Sequence, residues 1–172
     1  MDQQSHLIAF YTDADSDNKG RTRKEILTWD QHKLEYTHDY IQWLFPLNAP
    51  SAFNPNAPLL TTDDIQAFKQ SEKLQHNMIE CLQVMLDFYG LEIQNNQIQK
   101  NAHFEDRAAN WLHPGNHNLL RITRILKSLC LAGLNNHAVG FYNTLAEINT
   151  VQPDKIGDSF NYWQQTIQPC IE

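Results

Sequence analysis

In HNLLRITRILKSLCLAG, residues 117–133, the positions Leu119, Ile122, Leu126, Leu129 and Cys130 recur at helical spacing, and Gly133 stands just past the last of them. A strand cannot use that pattern, because side chains alternate across a sheet with a period of two. A helix with one apolar stripe must cover it with partners of the same kind. The rest of the chain supplies them. Leu74, Met78, Leu82, Met85 and Leu86 keep the same period from about Ser71 until Gly90 stops them. Ala138, Phe141, Tyr142, Leu145 and Ile148 mark another helix. Pro153 suits the first turn of one that carries Ile156, Phe160, Trp163 and Ile167.

Shorter helices are signalled by their caps. Thr22 with Glu25 reads as a capping box opening a helix through Ile26, Leu27 and Trp29, and Thr61 or Thr62 caps one through Ile65 and Phe68. FEDRAANWL is a further short helix. Residues 33–45 are expected to form one helix ended by Pro46, with Tyr36, Tyr40, Trp43 and Leu44 on one face and Leu34, Ile41 and Phe45 on the next. Pro46, Pro50, Pro55 and Pro58 make the following connection stiff and ordered. LIAFY is either helix or extended, and LEIQNNQIQKN either a hairpin or a loop. The expected fold is all-α: a single-domain bundle of about six to eight helices over residues 1–172, with its core from about 10 to 167.

The net charge of −7 argues against a general nucleic-acid binder, which carries a basic field. The N-terminus lacks the basic start and apolar core of a signal peptide, and no apolar run approaches the ~20 residues of a membrane span. A cytoplasmic address is expected. The three cysteines are far apart with no CxxC pair, so they read as unpaired thiols of a reducing compartment, Cys81 and Cys130 being small core residues.

Several clusters resemble chemistry and fall short of it. In DADSDNKGRTRKE, Asp13, Asp15 and Asp17 alternate as in a calcium loop, but Asn18 stands where glycine belongs and Lys24 where the bidentate Glu belongs. His38-Asp39 invites comparison with all-α metal-dependent phosphohydrolases of the HD type, which would also need His32 and Asp87 brought to it. HPGNH places His113 and His117 across a turn without an acidic residue at metalloprotease spacing. No metal or cofactor is expected. Arg121 and Arg124 share one side of their helix, and His117 lies at its positive end, so an anion such as a carboxylate has a place between the arginines. Gln42, inside the aromatic run, needs hydrogen-bond partners and is expected to pin the proline-rich segment.

LEYTHDYIQWLFPLNAPSAFNPNAPLLT, MLDFYGL and NHNLLRITRILKSLCLAGL, with GRTRKEILTWD upstream and SFNYWQQTI downstream, resemble the opioid growth factor receptor conserved-domain family from about Phe10 to Trp163. That resemblance implies a non-enzymatic binding domain, since the animal receptor naming the family binds the pentapeptide Met-enkephalin at the nuclear envelope and restrains proliferation. Animal members add long, often repetitive sequence, and this chain looks like the bare domain of bacteria and other microbes. No catalytic residues come with it. A peptide groove is expected from Tyr40, Trp43 and Phe45 with Asn54 of the NAPSAFNPNAP segment, Arg121, Arg124 and His117 taking a carboxylate and Asp39 or Glu35 an amine. Core packing of the same two helices explains the same residues. The alternatives from other classes are the HD-type hydrolase using His38 and Asp39, and a structural or oligomerising module.

Overall fold

The computed structural model describes residues 5–52 and 54–171 and is mainly helical, in two compact units, residues 1–81 and 82–172. Among the described residues eleven helices form, six of them of eight residues or more. The division falls inside one long helix.

The first unit holds α1 (His6–Tyr11), α2 (Arg23–Ile26), α3 (Gln31–Tyr36), α4 (Ile41–Leu44), α5 (Thr62–Gln70) and the first part of α6 (Glu72–Tyr89). LIAFY is therefore helical, and Ser5 caps it by accepting from the Ile8 amide. The caps legible in the sequence are present: Thr22 accepts from the Glu25 amide, and Thr61 with Asp64 makes a reciprocal box. The core joins Phe10, Tyr11, Ile26, Trp43, Leu44, Phe68 and Met78, all buried, each worth ~1.5–3 kcal/mol if its side chain is fully withdrawn from water. Tyr11 and Phe68 meet edge-on at 4.9 Å, as do Phe10 and Trp43 at 5.2 Å. Arg23 is buried beside them, its guanidinium forked onto Asp13 and also donating to the Asn77 carbonyl. Burial pulls its pKa down, but the Asp13 bonds outweigh that, and it rests above its ordinary value.

Two sequence expectations change in this unit. Residues 33–45 are not one helix: α3 ends at Tyr36, Thr37 is extended (φ −97°, ψ 126°), and α4 begins at Ile41. Asp39, tied to Lys19 and Arg21, and Tyr40, whose hydroxyl donates to the Leu34 carbonyl at 2.7 Å, are held by bonds that a continuous helix would not present. The face shared by Tyr36 and Tyr40 is consequently split, with Tyr36 exposed and Tyr40 buried. The proline-rich connection is closed at its ends, where the Leu60 amide donates to the Leu47 carbonyl at 2.9 Å. Phe53 lies outside the described residues.

The second unit holds the rest of α6, a hairpin of β1 (Leu91–Gln94) and β2 (Gln97–Lys100), then α7 (Phe104–Trp111), α8 (His117–Leu131), α9 (Asn135–Val151), α10 (Pro153–Ile156) and α11 (Ser159–Ile171). Asn95 and Asn96 both take positive φ, as a two-residue hairpin turn requires. Gly90, at φ +86°, is the stop expected for α6, and a methyl group there would sit 2.6 Å from the Phe104 Cα. Leu119, Ile122, Leu126 and Leu129 of the α8 stripe are buried as their period predicts, while Cys130 is only half-buried, and α8 packs most extensively against α11. The last helix differs from expectation. Gly157, at φ +67°, separates α10 from α11, so Pro153 opens a single turn only.

The cysteines also depart from expectation. Cys130 and Cys170 form a disulfide, with a Cα–Cα distance of 5.7 Å, and Cys81 alone is free. The Trp163 indole donates to the Leu119 carbonyl and to Thr123 Oγ1, which sets α8 beside α11, and the Cys130–Cys170 link further along both shows that they run the same way. Advancing seven residues along each, about 10 Å, brings Cys130 opposite Cys170. No helix among the described residues is long and apolar enough to cross a membrane.

Candidate functional site

The most constructed polar feature of the first unit begins at Asp17, a buried carboxylate in the loop after α1. One of its oxygens accepts from the amides of Lys19 and Arg21, both at 2.9 Å, and the other from Arg21 Nε at 2.7 Å. Arg21 then reaches Asp39 Oδ1 at 2.9 Å, and Lys19 Nζ takes Asp39 Oδ2 at 2.5 Å. Two acids and two bases thus lace the loop to the segment between α3 and α4. Burial raises the Asp39 pKa, yet the hydrogen bonds from Lys19 and Arg21 outweigh it and hold the carboxyl below its usual range. Arg21 moves oppositely: burial lowers its pKa, but the bonds to Asp39 and Asp17 carry it above the ordinary value.

Beside this lacing lies a cleft of about 460 Å³, lined by Asn18 and Lys19, by Tyr36 to Asp39, and by Asn54 and Asn56. Each wall is fixed from behind. Gln42, buried at the start of α4, donates to the His38 carbonyl and accepts from Asn54 Nδ2 at 3.4 Å, and Asn54 Oδ1 accepts from the Asn56 amide. Gln42 therefore holds the proline-rich segment through the Asn54 side chain. The Tyr36 ring lies 4.6 Å from the His32 ring and is 68% exposed.

Of the residues expected to bind, Asp39 and Asn54 line this cleft. Tyr40, Trp43 and Phe45 do not: all three are interior, so of the two readings open for YIQWLFP the rings take the core one. Trp43 Nε1 is buried with no acceptor among the described residues. His117, Arg121 and Arg124 stand in the second unit. His117 is the exposed first residue of α8, behind the Asn116 cap. Arg121 is buried and donates to Asn118 Oδ1 at 3.3 Å, and burial pulls the half-exposed Arg124 down to about 10.

Asn18, Lys19, Tyr36 and Asn56 also line the cleft, and the sequence gives no sign of it because the signal is tertiary. Asn18 and Lys19 sit in a loop whose alternating acids suggest calcium, and helical spacing puts Tyr36 on one face with the buried Tyr40, Trp43 and Leu44. The three acids have separate partners: Asp13 pairs with Arg23, Asp15 accepts from the Ser16 amide, and Asp17 holds Arg21. Among the described residues no three His, Cys, Asp or Glu side chains are grouped to hold a metal ion.

Comparison with known proteins adds a family. The model of the opioid growth factor receptor conserved region matches residues 2–170. The mouse opioid growth factor receptor is 38% identical over 122 residues, 69% of this chain and 19% of that protein. The opioid growth factor receptor-like protein 1 of Xenopus tropicalis is 41% identical over 118 residues, 66% of this chain and 23% of the relative. The human receptor is 40% identical over 106 residues, covering 60% of this chain and 15% of its own. The chain thus spans about a fifth of the length of these relatives. No solved structure shows a significant match.

Proposed function

Because the chain belongs to the family of the opioid growth factor receptor conserved region, we propose that it is a non-enzymatic binding domain whose ligand is a short peptide of the opioid growth factor kind. The observation that carries this reading is the match over residues 2–170, which takes in both compact units. The relatives' names speak of receptors whose remaining four-fifths lie beyond the matched region. The reading therefore places ligand binding in the shared region itself.

The geometry supports a binder more readily than a hydrolase. Asp39, the acid of the His38-Asp39 pair, has both carboxylate oxygens engaged by cations, whereas the carboxylate of a metal-dependent HD pair must turn an oxygen to the metal ion. A pre-formed polar cleft with braced walls fits recognition, because little ordering is left to be done on binding.

Calorimetric titration with Met-enkephalin, beside a scrambled peptide of the same composition, tests the reading. Saturable heat with the true peptide alone is the expected result. Absence of heat with Met-enkephalin at high micromolar concentration overturns it.

A further inference from the structure

We propose that the peptide is held in the first-unit cleft by its backbone amides and one aromatic side chain, with both of its terminal charges left in water. This rests on the binding-domain reading and assigns it a site and a mode.

The argument starts from charge. The cleft's charged lining residues, Lys19 and Asp39, are bound to each other at 2.5 Å, and Arg21 holds the second Asp39 oxygen at 2.9 Å. A peptide ammonium at Asp39 would share the carboxylate with the two cations already on it. A peptide carboxylate at Lys19 would share the ammonium with Asp39. Either terminus would add a partner to a pair whose charges already offset each other, and partly exposed pairs contribute only ~0–1 kcal/mol. Terminal capture therefore gains almost nothing here.

Neutral groups remain. Asn18 and Asn56 line the cleft and are exposed, and each carboxamide carries a donor and an acceptor side by side, matching the N–H and C=O of a peptide unit. Their positions are set in advance. Asn18 lies between Asp17 and Lys19 in the laced loop, and the Asn56 amide is fixed by Asn54. Tyr36 adds an aromatic surface, exposed on one side and backed by His32. A volume of about 460 Å³ lies within the ~300–1,000 Å³ of small-ligand pockets and admits a short segment, not a protein face.

The test compares free Met-enkephalin with the same peptide N-acetylated and C-amidated, on the unaltered chain and on Tyr36→Ala and Asn56→Ala. Both residues are exposed, and circular dichroism checks that each variant stays folded. The expected result is a Kd for the blocked peptide within about threefold of the free one, and a loss of about tenfold in each variant, the ~1.4 kcal/mol of one neutral hydrogen bond or ring contact. Binding of the free peptide alone, or undiminished binding by both variants, overturns this proposal and leaves the receptor reading standing. Failure of both peptides to bind the unaltered chain overturns the receptor reading, and this proposal with it.

Discussion

Breaking the Cys130–Cys170 bridge should destabilise the second unit by an amount set by loop closure. The bridge spans a sequence separation of 40. In the chain-entropy treatment the unfolded state gains about 2.1 + 1.5R ln 40, or ~13 cal/mol/K, when the link is cut, which is ~4 kcal/mol at 25 °C. The folded state loses little else, because α8 and α11 stay in contact through Trp163, Leu119 and Thr123. With a urea dependence of ~2 kcal/mol/M, the unfolding midpoint should fall by about 2 M. The assay is urea denaturation with and without a phosphine reductant, repeated on the Cys130→Ser/Cys170→Ser double variant, which should behave like reduced protein and ignore the reductant. Alkylation of the unfolded, unreduced chain followed by mass spectrometry should label Cys81 only. Equal midpoints with and without reductant, or three labelled thiols, would refute the reasoning.

Three further outcomes follow from single sites. Gly90→Ala should cost at least ~2 kcal/mol by thermal denaturation, since it adds a backbone clash to the ~1–2 kcal/mol of left-handed strain, whereas Gly20→Ala, at φ +79° in open space, should cost the strain alone. Cys81 is buried and its thiol is pushed up to about 11, so in native protein at pH 8 it should resist a thiol-reactive dye that labels it at once after denaturation. Burial lowers the His137 pKa, so between that value and the unfolded ~6.5 the unfolded chain binds more protons; stability should be complete above pH ~6.5 and fall on acidification. Urea midpoints at pH 7 and pH 5 should converge in His137→Gln relative to the unaltered chain, and an unchanged gap would count against the assignment.

What the sequence revealed and what it concealed divide by the range of the interaction. The stripes of α6, α8 and α9 and the caps at Thr22 and Thr61 depend on neighbours a few residues away, so periodicity and cap chemistry find them. The break at residues 37–40 is invisible to the same logic. Helical spacing continues across it, and only Lys19 and Arg21, about twenty residues upstream, show that Asp39 is taken elsewhere. The disulfide is concealed for the same reason, since nothing in its 40-residue separation says that α8 and α11 run in parallel. Gly157 is by contrast a local signal: a glycine inside a helical pattern, it separates α10 from α11.

The cleft follows the same division and explains why the loop and YIQWLFP both bear on one site without sharing a role. The loop's alternating carboxylates could have converged on a cation, yet each turns to its own partner, so the charge that would bind calcium holds the chain in place. In YIQWLFP the large rings are buried and anchor α4, and the buried Gln42 side chain holds Asn54. Neither segment is a binding motif by itself. Together they fix the walls on which Tyr36, Asn18 and Asn56 stand exposed, so in the proposed binding mode recognition falls to residues that carry almost no sequence signal and depends on residues that carry most of it. A substitution at Gln42 or Asp17 should accordingly weaken ligand binding without touching the ligand, by releasing a wall of the cleft.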